Sequence, residues 1–161
     1  KIRLEMTDSD PRHDQLFSLT WTLAIFIQSI SKETKFFTFN SIYGHHGILN
    51  KDNTKRPLYH LNNFLISLSN SEIFKFNPIN EVYGLKIVLN DKKYYLFVNS
   101  SKQTKEINIS ELNFSHQFKL NLKNYTDIFN NDFSFFHFKK DSNPYAFEPL
   151  EIKFIEDKCK N

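Results

Sequence analysis

The sequence predicts a mixed α/β first half followed by an all-β second half, and three observations carry that prediction. Before residue 80, two segments with apolar residues at helical spacing flank a short aromatic run. After residue 80 the apolar segments are short and alternate with a period of two, as half-buried strands do. Only three glycines occur in 161 residues, so tight turns must rely on Asn, Asp and Ser, while eighteen Phe and seven Tyr supply a core of large flat side chains.

The first helix is expected from Arg12 to about Ile30. Asp10 can accept from free backbone amides, and Pro11 suits the first helical position. Its second half, Trp21 to Ile27, is almost continuously apolar, which predicts burial on more than one side and a largely buried Trp21. Residues 36–42 read as a strand, and Pro57 opens a second helix to about Ser69 with Leu58, Leu61, Leu65 and Leu68 on one face. Beyond residue 80, strands are expected at 82–89, 94–98, 105–109, 117–122, 133–138 and 150–155, the first two joined by a turn at Asn90-Asp91. Leu150, Ile152 and Phe154 are expected to share an inward face. Six short strands at this spacing suggest an antiparallel β-sandwich.

Composition excludes several classes. A formal charge of +3 with no long basic run gives no footprint for nucleic acid. The longest apolar stretch is broken before a bilayer's width, so no membrane span is expected. A single cysteine, Cys159, excludes a disulfide framework and a Cys-rich metal site within the chain. No targeting leader is visible after Lys1, and the length suits either one domain or a piece of a longer protein. The Asn-X-Ser/Thr sequons at Asn99, Asn108, Asn113 and Asn124 are no more than a chain this rich in Asn, Ser and Thr produces by chance.

Four stretches together carry a family resemblance. They are Asp10-Pro11-Arg12-His13 with Leu16-Phe17 and Trp21-Thr22-Leu23; Gly44-His45-His46-Gly47-Ile48-Leu49; Arg56-Pro57-Leu58-Tyr59-His60; and Gly84-Leu85-Lys86 through Leu96-Phe97-Val98-Asn99. This pattern resembles the C-terminal part of clan A glycoside-hydrolase-like proteins, closest to sugar-acid lactonases of the apionolactone-hydrolysing type. The resemblance implies that residues 1–77 form the C-terminal end of a (β/α)8 barrel, as helix, last strand and Pro-led helix, and that residues 78–161 form a β-sandwich. It further implies a carbohydrate or sugar-lactone substrate, no cofactor, and a missing N-terminal barrel portion as the principal partner.

On that reading the loop after residue 42 lies at the rim where barrel enzymes place their sites. Tyr43, His45 and His46 become candidate substrate-binding residues. The adjacent histidines diverge and lack the i, i+4 spacing that brings two imidazoles onto one metal, so no metal site is assigned. Each also has a plainer role, as a solvated loop residue or, for Tyr43, a rim aromatic over the core. Catalysis of glycoside or lactone hydrolysis needs an acid and a base. Glu5, in a segment similar to the end of the seventh barrel strand, is the one local candidate carboxylate. The lactonase-type pattern has an acidic residue where this chain has Asn40-Ser41, a departure that touches the inherited chemistry. Ser41, His45 and Asp52 supply the letters of a nucleophilic triad without the Gly-X-Ser-X-Gly frame. Asp8 and Asp10 form an acidic pair with no third ligand nearby. The aromatic run 133–138 fits either a sugar-stacking platform or sandwich core. The alternative to an enzyme fragment is a non-catalytic module that binds carbohydrate or protein.

Overall fold

A computed structural model describes residues 11–34, 37–38, 40–44, 47–108, 114–130, 139 and 145–157. Among the described residues, three helices, α1 (Leu16–Ser29), α2 (Pro57–Ser67) and α3 (Tyr125–Asn130), accompany seven strands. These are β1 (Glu72–Lys75), β2 (Val82–Leu89), β3 (Lys92–Asn99), β4 (Lys105–Glu106), β5 (Phe114–Leu120), β6 (Ala146–Phe147) and β7 (Glu151–Asp157). Five strands form an antiparallel sheet in the order β1-β2-β3-β7-β5, and β4 pairs with β6 in a separate two-stranded ribbon. The molecule is therefore mixed α/β with an antiparallel sheet.

Period-two alternation assigns the sheet's residues to two cores. Leu85 and Ile87 of β2, Leu96 and Val98 of β3, Phe118 and Leu120 of β5, and Ile152 and Phe154 of β7 face the helices. They meet Leu16, Leu19, Leu23 and Ile27 of α1 and Leu58, Leu61 and Phe64 of α2 in one continuous cluster. Each fully buried Leu or Ile contributes about 1.5–3 kcal/mol relative to exposure. Phe154 marks the joint, edge-on to Phe64 at 5.1 Å and stacked on Tyr94 at 5.3 Å. Leu150 packs against the same cluster from the turn before β7, so the expected face shared by Leu150, Ile152 and Phe154 is present. On the opposite face Phe76, Tyr95 and Phe97 stack, with Phe147 of the β4–β6 ribbon edge-on to Phe97. Gly84 pairs with Phe97, and a Cβ there would lie 2.5 Å from the Phe97 ring, so the stack requires glycine.

Turn chemistry sets the registers. Asn90 and Asp91 have positive φ, 50° and 62°, and join β2 to β3 in the two-residue loop that matches strand twist. Asn80 and Glu81 repeat that geometry between β1 and β2. Glu81 then reaches Lys105 at 2.6 Å, and Asn80 Nδ2 donates to Glu106 O at 3.1 Å, fastening this turn to β4.

Several expectations are corrected. A 3-10 turn over Pro11–Asp14 precedes α1, whose N-cap is Gln15; Asp10, the expected cap, lies outside the described residues. Trp21 is 55% exposed, because α1 turns Leu16, Leu19, Leu23 and Ile27 inward and leaves Trp21 on the other side. Of the expected strand 36–42, the described residues 37, 38 and 40–42 belong to no strand. A strand needs a ladder partner, and Phe37 instead packs edge-on against Phe26 at 5.6 Å. The strand expected at 117–122 spans Phe114–Leu120 and gives way to α3 where only strands were expected. Asn124 supports that change, accepting from the Asn121 amide at 2.8 Å and donating to Lys119 O at 2.9 Å. The expected strand 105–109 is reduced to Lys105–Glu106, and β1 and β6 are additional. Residues 133–138 lie outside the described set.

A buried polar group sits on the second face of the sheet. Lys153, fully buried, donates from Nζ to Ala146 O, stands 4.4 Å from the Phe147 ring centre and 3.8 Å from Glu151 Oε2. Glu151 also accepts from the Glu148 amide at 2.9 Å and from Asn121 Nδ2 at 3.4 Å. Asn99 Nδ2 donates to Gln103 O and Glu148 O at 2.8 and 2.9 Å, while its Oδ1 accepts from Ser101. Burial pushes the Glu151 carboxyl above its ordinary range, against the opposing pull of Lys153. A raised folded-state value means that the neutral form favours folding. That stabilisation is complete below the ordinary carboxylate range and is lost as pH rises through the folded value. Glu151→Gln is therefore expected to flatten the decline in stability across this window, measured by urea unfolding at stepped pH. An unchanged slope would contradict the assignment.

Candidate functional site

The loop from Asn40 to Leu49 is closed on itself by backbone hydrogen bonds. The Ile48 amide donates to Ser41 O, the Leu49 amide to Ile42 O and the Gly47 amide to Gly44 O, each at 3.0 Å. Gly44 has a φ of +100°, a conformation that side chains with a Cβ resist. At Gly47 a Cβ would lie 2.5 Å from the Tyr43 carbonyl carbon, so this glycine allows the loop to double back on Tyr43. The turn drives Tyr43 outward, where it is 60% exposed.

Two side chains tie this loop to the helices. His13 Nε2–H, from the turn before α1, donates to Gly47 O at 3.2 Å. Arg56, just before α2, donates from Nε to Asn50 Oδ1 at 2.6 Å, and the same nitrogen lies 3.4 Å from Asp14 Oδ1. The Arg56 amide meets Ile48 O at 3.0 Å. Both residues stand in the stretches that carry the family resemblance, but sequence reasoning gave neither a role. The His13–Gly47 and Arg56–Asp14 contacts join residues more than thirty positions apart, which no local pattern specifies.

Beside the loop, a groove of about 480 Å³ opens between the 3-10 turn, the outer face of α1 and the residues Phe37, Thr38 and Asn40. Arg12, His13, Phe17, Trp21, Phe37 and Asn40 line it, and its size suits a small ligand or an inserted side-chain cluster. The Arg12 guanidinium lies 5.7 Å from the Phe17 ring centre. No acidic residue is among the described residues that line it.

Of the sequence-derived site residues, Tyr43 is on the loop surface, whereas Glu5, His45 and His46 lie outside the described residues. Ser41 Oγ donates to Tyr43 O at 3.0 Å. Asp52 Oδ1 accepts from Thr54 Oγ1 at 2.6 Å and from the Thr54 amide at 3.1 Å, and these bonds hold its carboxyl below the usual range. Ser41 and Asp52 each bond within their own turn, and His45, the third residue of that set, lies outside the described residues. Among the described residues no group of three His, Cys, Asp or Glu could hold a metal ion, and no helix is long and apolar enough to cross a membrane.

Residues 1–70 match the family model described as D-apionate lactonase, TIM barrel domain. The fold is similar to that of a GH30 endoxylanase from Clostridium papyrosolvens C71, with a TM-score of 0.51 over 96% of this chain and 8% sequence identity. The chain covers 40% of that endoxylanase, and at this identity the likeness is one of fold. No curated protein matches significantly. The lactonase match and the glycoside-hydrolase likeness agree with the resemblance read from the sequence, and the fold is carbohydrate-hydrolase-like.

Proposed function

We propose that this chain is the C-terminal portion of a carbohydrate-active hydrolase that cleaves a glycoside or a sugar lactone. Residues 1–77 then finish a (β/α)8 barrel and residues 78–161 form its β-sandwich. The lactonase-barrel match over residues 1–70 carries the reading. The Pro-led α2 and the glycine-turned loop beside it give that match its local support. On this reading the segment from Tyr43 to His46 borders the sugar, and Glu5 is the local carboxylate. The remaining catalytic groups come from barrel strands outside this sequence. Lactone hydrolysis requires a base to take a proton from attacking water and an acid to protonate the departing alkoxide. One barrel strand cannot provide both.

A second reading, a binding module without catalysis, rests on Asn40-Ser41, where the family resemblance read from the sequence implies that an acidic residue often stands. Activity separates the two. The 161-residue chain is expected to be inactive towards glycosides and sugar lactones, and the protein with its barrel completed is expected to hydrolyse one of them. In that protein, His45→Ala or His46→Ala is expected to cost about 1–3 kcal/mol of binding or transition-state stabilisation where the imidazole touches substrate. Unchanged affinity and turnover in both variants would make the loop structural. Hydrolysis by the 161-residue chain alone would refute the fragment reading.

A further inference from the structure

Residues 41–44 and 47–56 form a double turn in which Ile48 belongs to both halves. Its amide donates to Ser41 O and its carbonyl accepts from the Arg56 amide, both at 3.0 Å. The second half closes through the Leu49–Lys55 bridge and the bond from the Asn50 amide to Thr54 O at 2.9 Å, with Asn53 at a φ of 64°. Within it Asn50 Nδ2 donates to Thr54 Oγ1 at 2.8 Å, while Asn50 Oδ1 accepts from Arg56 Nε. The Arg56 side chain is only 12% exposed, although the Asp14 carboxylate beside it is 56% exposed. Withdrawing a guanidinium from water is costly, and a pair with a half-exposed carboxylate adds little stability. The best-attested use of such a buried charge is to select one arrangement of the chain over others. Arg56 is placed to do so, as the residue that caps α2, bonds the double turn through backbone and side chain, and meets the turn before α1.

We infer that Arg56 is a positioning residue for sugar binding, acting through Tyr43. This inference rests on the sugar-binding reading above and adds how that site is held. Tyr43 is what the double turn presents: its carbonyl accepts from Ser41 Oγ, and the bonds from Ile48 and Leu49 close the chain on either side of it. Its side chain nevertheless stands in solvent. An aromatic ring mounted on a preorganised turn loses little further freedom when it meets the apolar face of a sugar. Through Asn50 and Asp14, Arg56 fixes the turn and so the direction of that ring, while His13 steadies the same turn from Gly47. Lysine is a poor substitute, because a planar guanidinium fork can serve two acceptors and an ammonium is a point charge on a flexible stem.

Amide exchange in the 161-residue chain tests the pin without any ligand. Arg56→Lys should speed exchange at the Ile48 and Leu49 amides by about tenfold relative to those of α2, and Asp14→Asn by about threefold. In the protein with its barrel completed, activity is measured on a xylo-oligosaccharide and an aldonolactone. Arg56→Lys should raise KM for the one hydrolysed by about tenfold and change kcat by less than about twofold, the pattern of lost binding rather than lost chemistry. In a Tyr43→Ala background the same substitution should change KM by less than about twofold, because its effect passes through Tyr43. An equal effect of Arg56→Lys with and without Tyr43 would overturn the inference, as would unchanged exchange at Ile48 and Leu49. If Arg56→Lys does not fold, Asp14→Asn carries both measurements, since its half-exposed side chain tolerates the change. Hydrolysis with Arg56 and Tyr43 uncoupled would uphold the hydrolase reading and overturn this one. Sugar binding without hydrolysis, with the coupling present in calorimetric affinities, would do the reverse. Faster exchange in a completed protein that binds neither sugar would overturn both.

Discussion

Replacing Phe154 by alanine is expected to destabilise the chain by about 3–5 kcal/mol, the cost of deleting a fully buried aromatic and leaving a cavity. Phe154 is completely buried in the interior strand β7, between β3 and β5, where it touches both Phe64 of α2 and Tyr94 of β3. Its loss should therefore weaken the attachment of the helices to the sheet as well as the sheet itself. Denaturant unfolding followed by far-ultraviolet circular dichroism would show a lower midpoint. A change below about 1 kcal/mol would mean that α2 and the sheet do not share a core.

Lys153→Met is expected to cost a similar amount, about 3–5 kcal/mol near neutral pH, for a different reason. The methionine fills the space beside Phe147 but leaves the buried Glu151 carboxylate without its cation, and the Ala146 carbonyl without its donor. The loss should shrink at low pH, where the carboxyl takes up a proton and no longer needs a counter-ion. Adding Glu151→Gln to Lys153→Met removes both charges and should recover much of the stability, since replacing a whole buried pair is far less costly than halving it. A double-mutant cycle with no coupling between the two positions would show that the pair plays no part in holding the β4–β6 ribbon to the sheet.

The hairpin of β2 and β3 was legible because each of its signals is local: alternating apolar residues on both sides of Asn90-Asp91, a pair that tolerates positive φ. The Pro57 helix start was legible for the same reason, since Pro at the first helical position forfeits no hydrogen bond. The short strands β1 and β6 were not, because four and two residues carry no readable period and are strands only through pairing with β2 and β4. Nor was α3, whose six residues are too few for a helix to persist without tertiary support. At the candidate site, the turn-forming glycines of the loop were visible in the sequence. The bonds from His13 and Arg56 that position it were not.

Sequence by itself determined that this chain joins a helical first part to an antiparallel second part, because helical and strand periods are properties of neighbouring residues. It also determined that the turns would rest on Asn and Asp, given three glycines in the whole chain. Tertiary structure alone decided which side of α1 faces inward. Trp21 to Ile27 is apolar almost throughout, so no period distinguishes its sides, and the face that meets the sheet and α2 became the core. Trp21 was left on the other face, beside the groove, by packing that its neighbours in sequence could not specify.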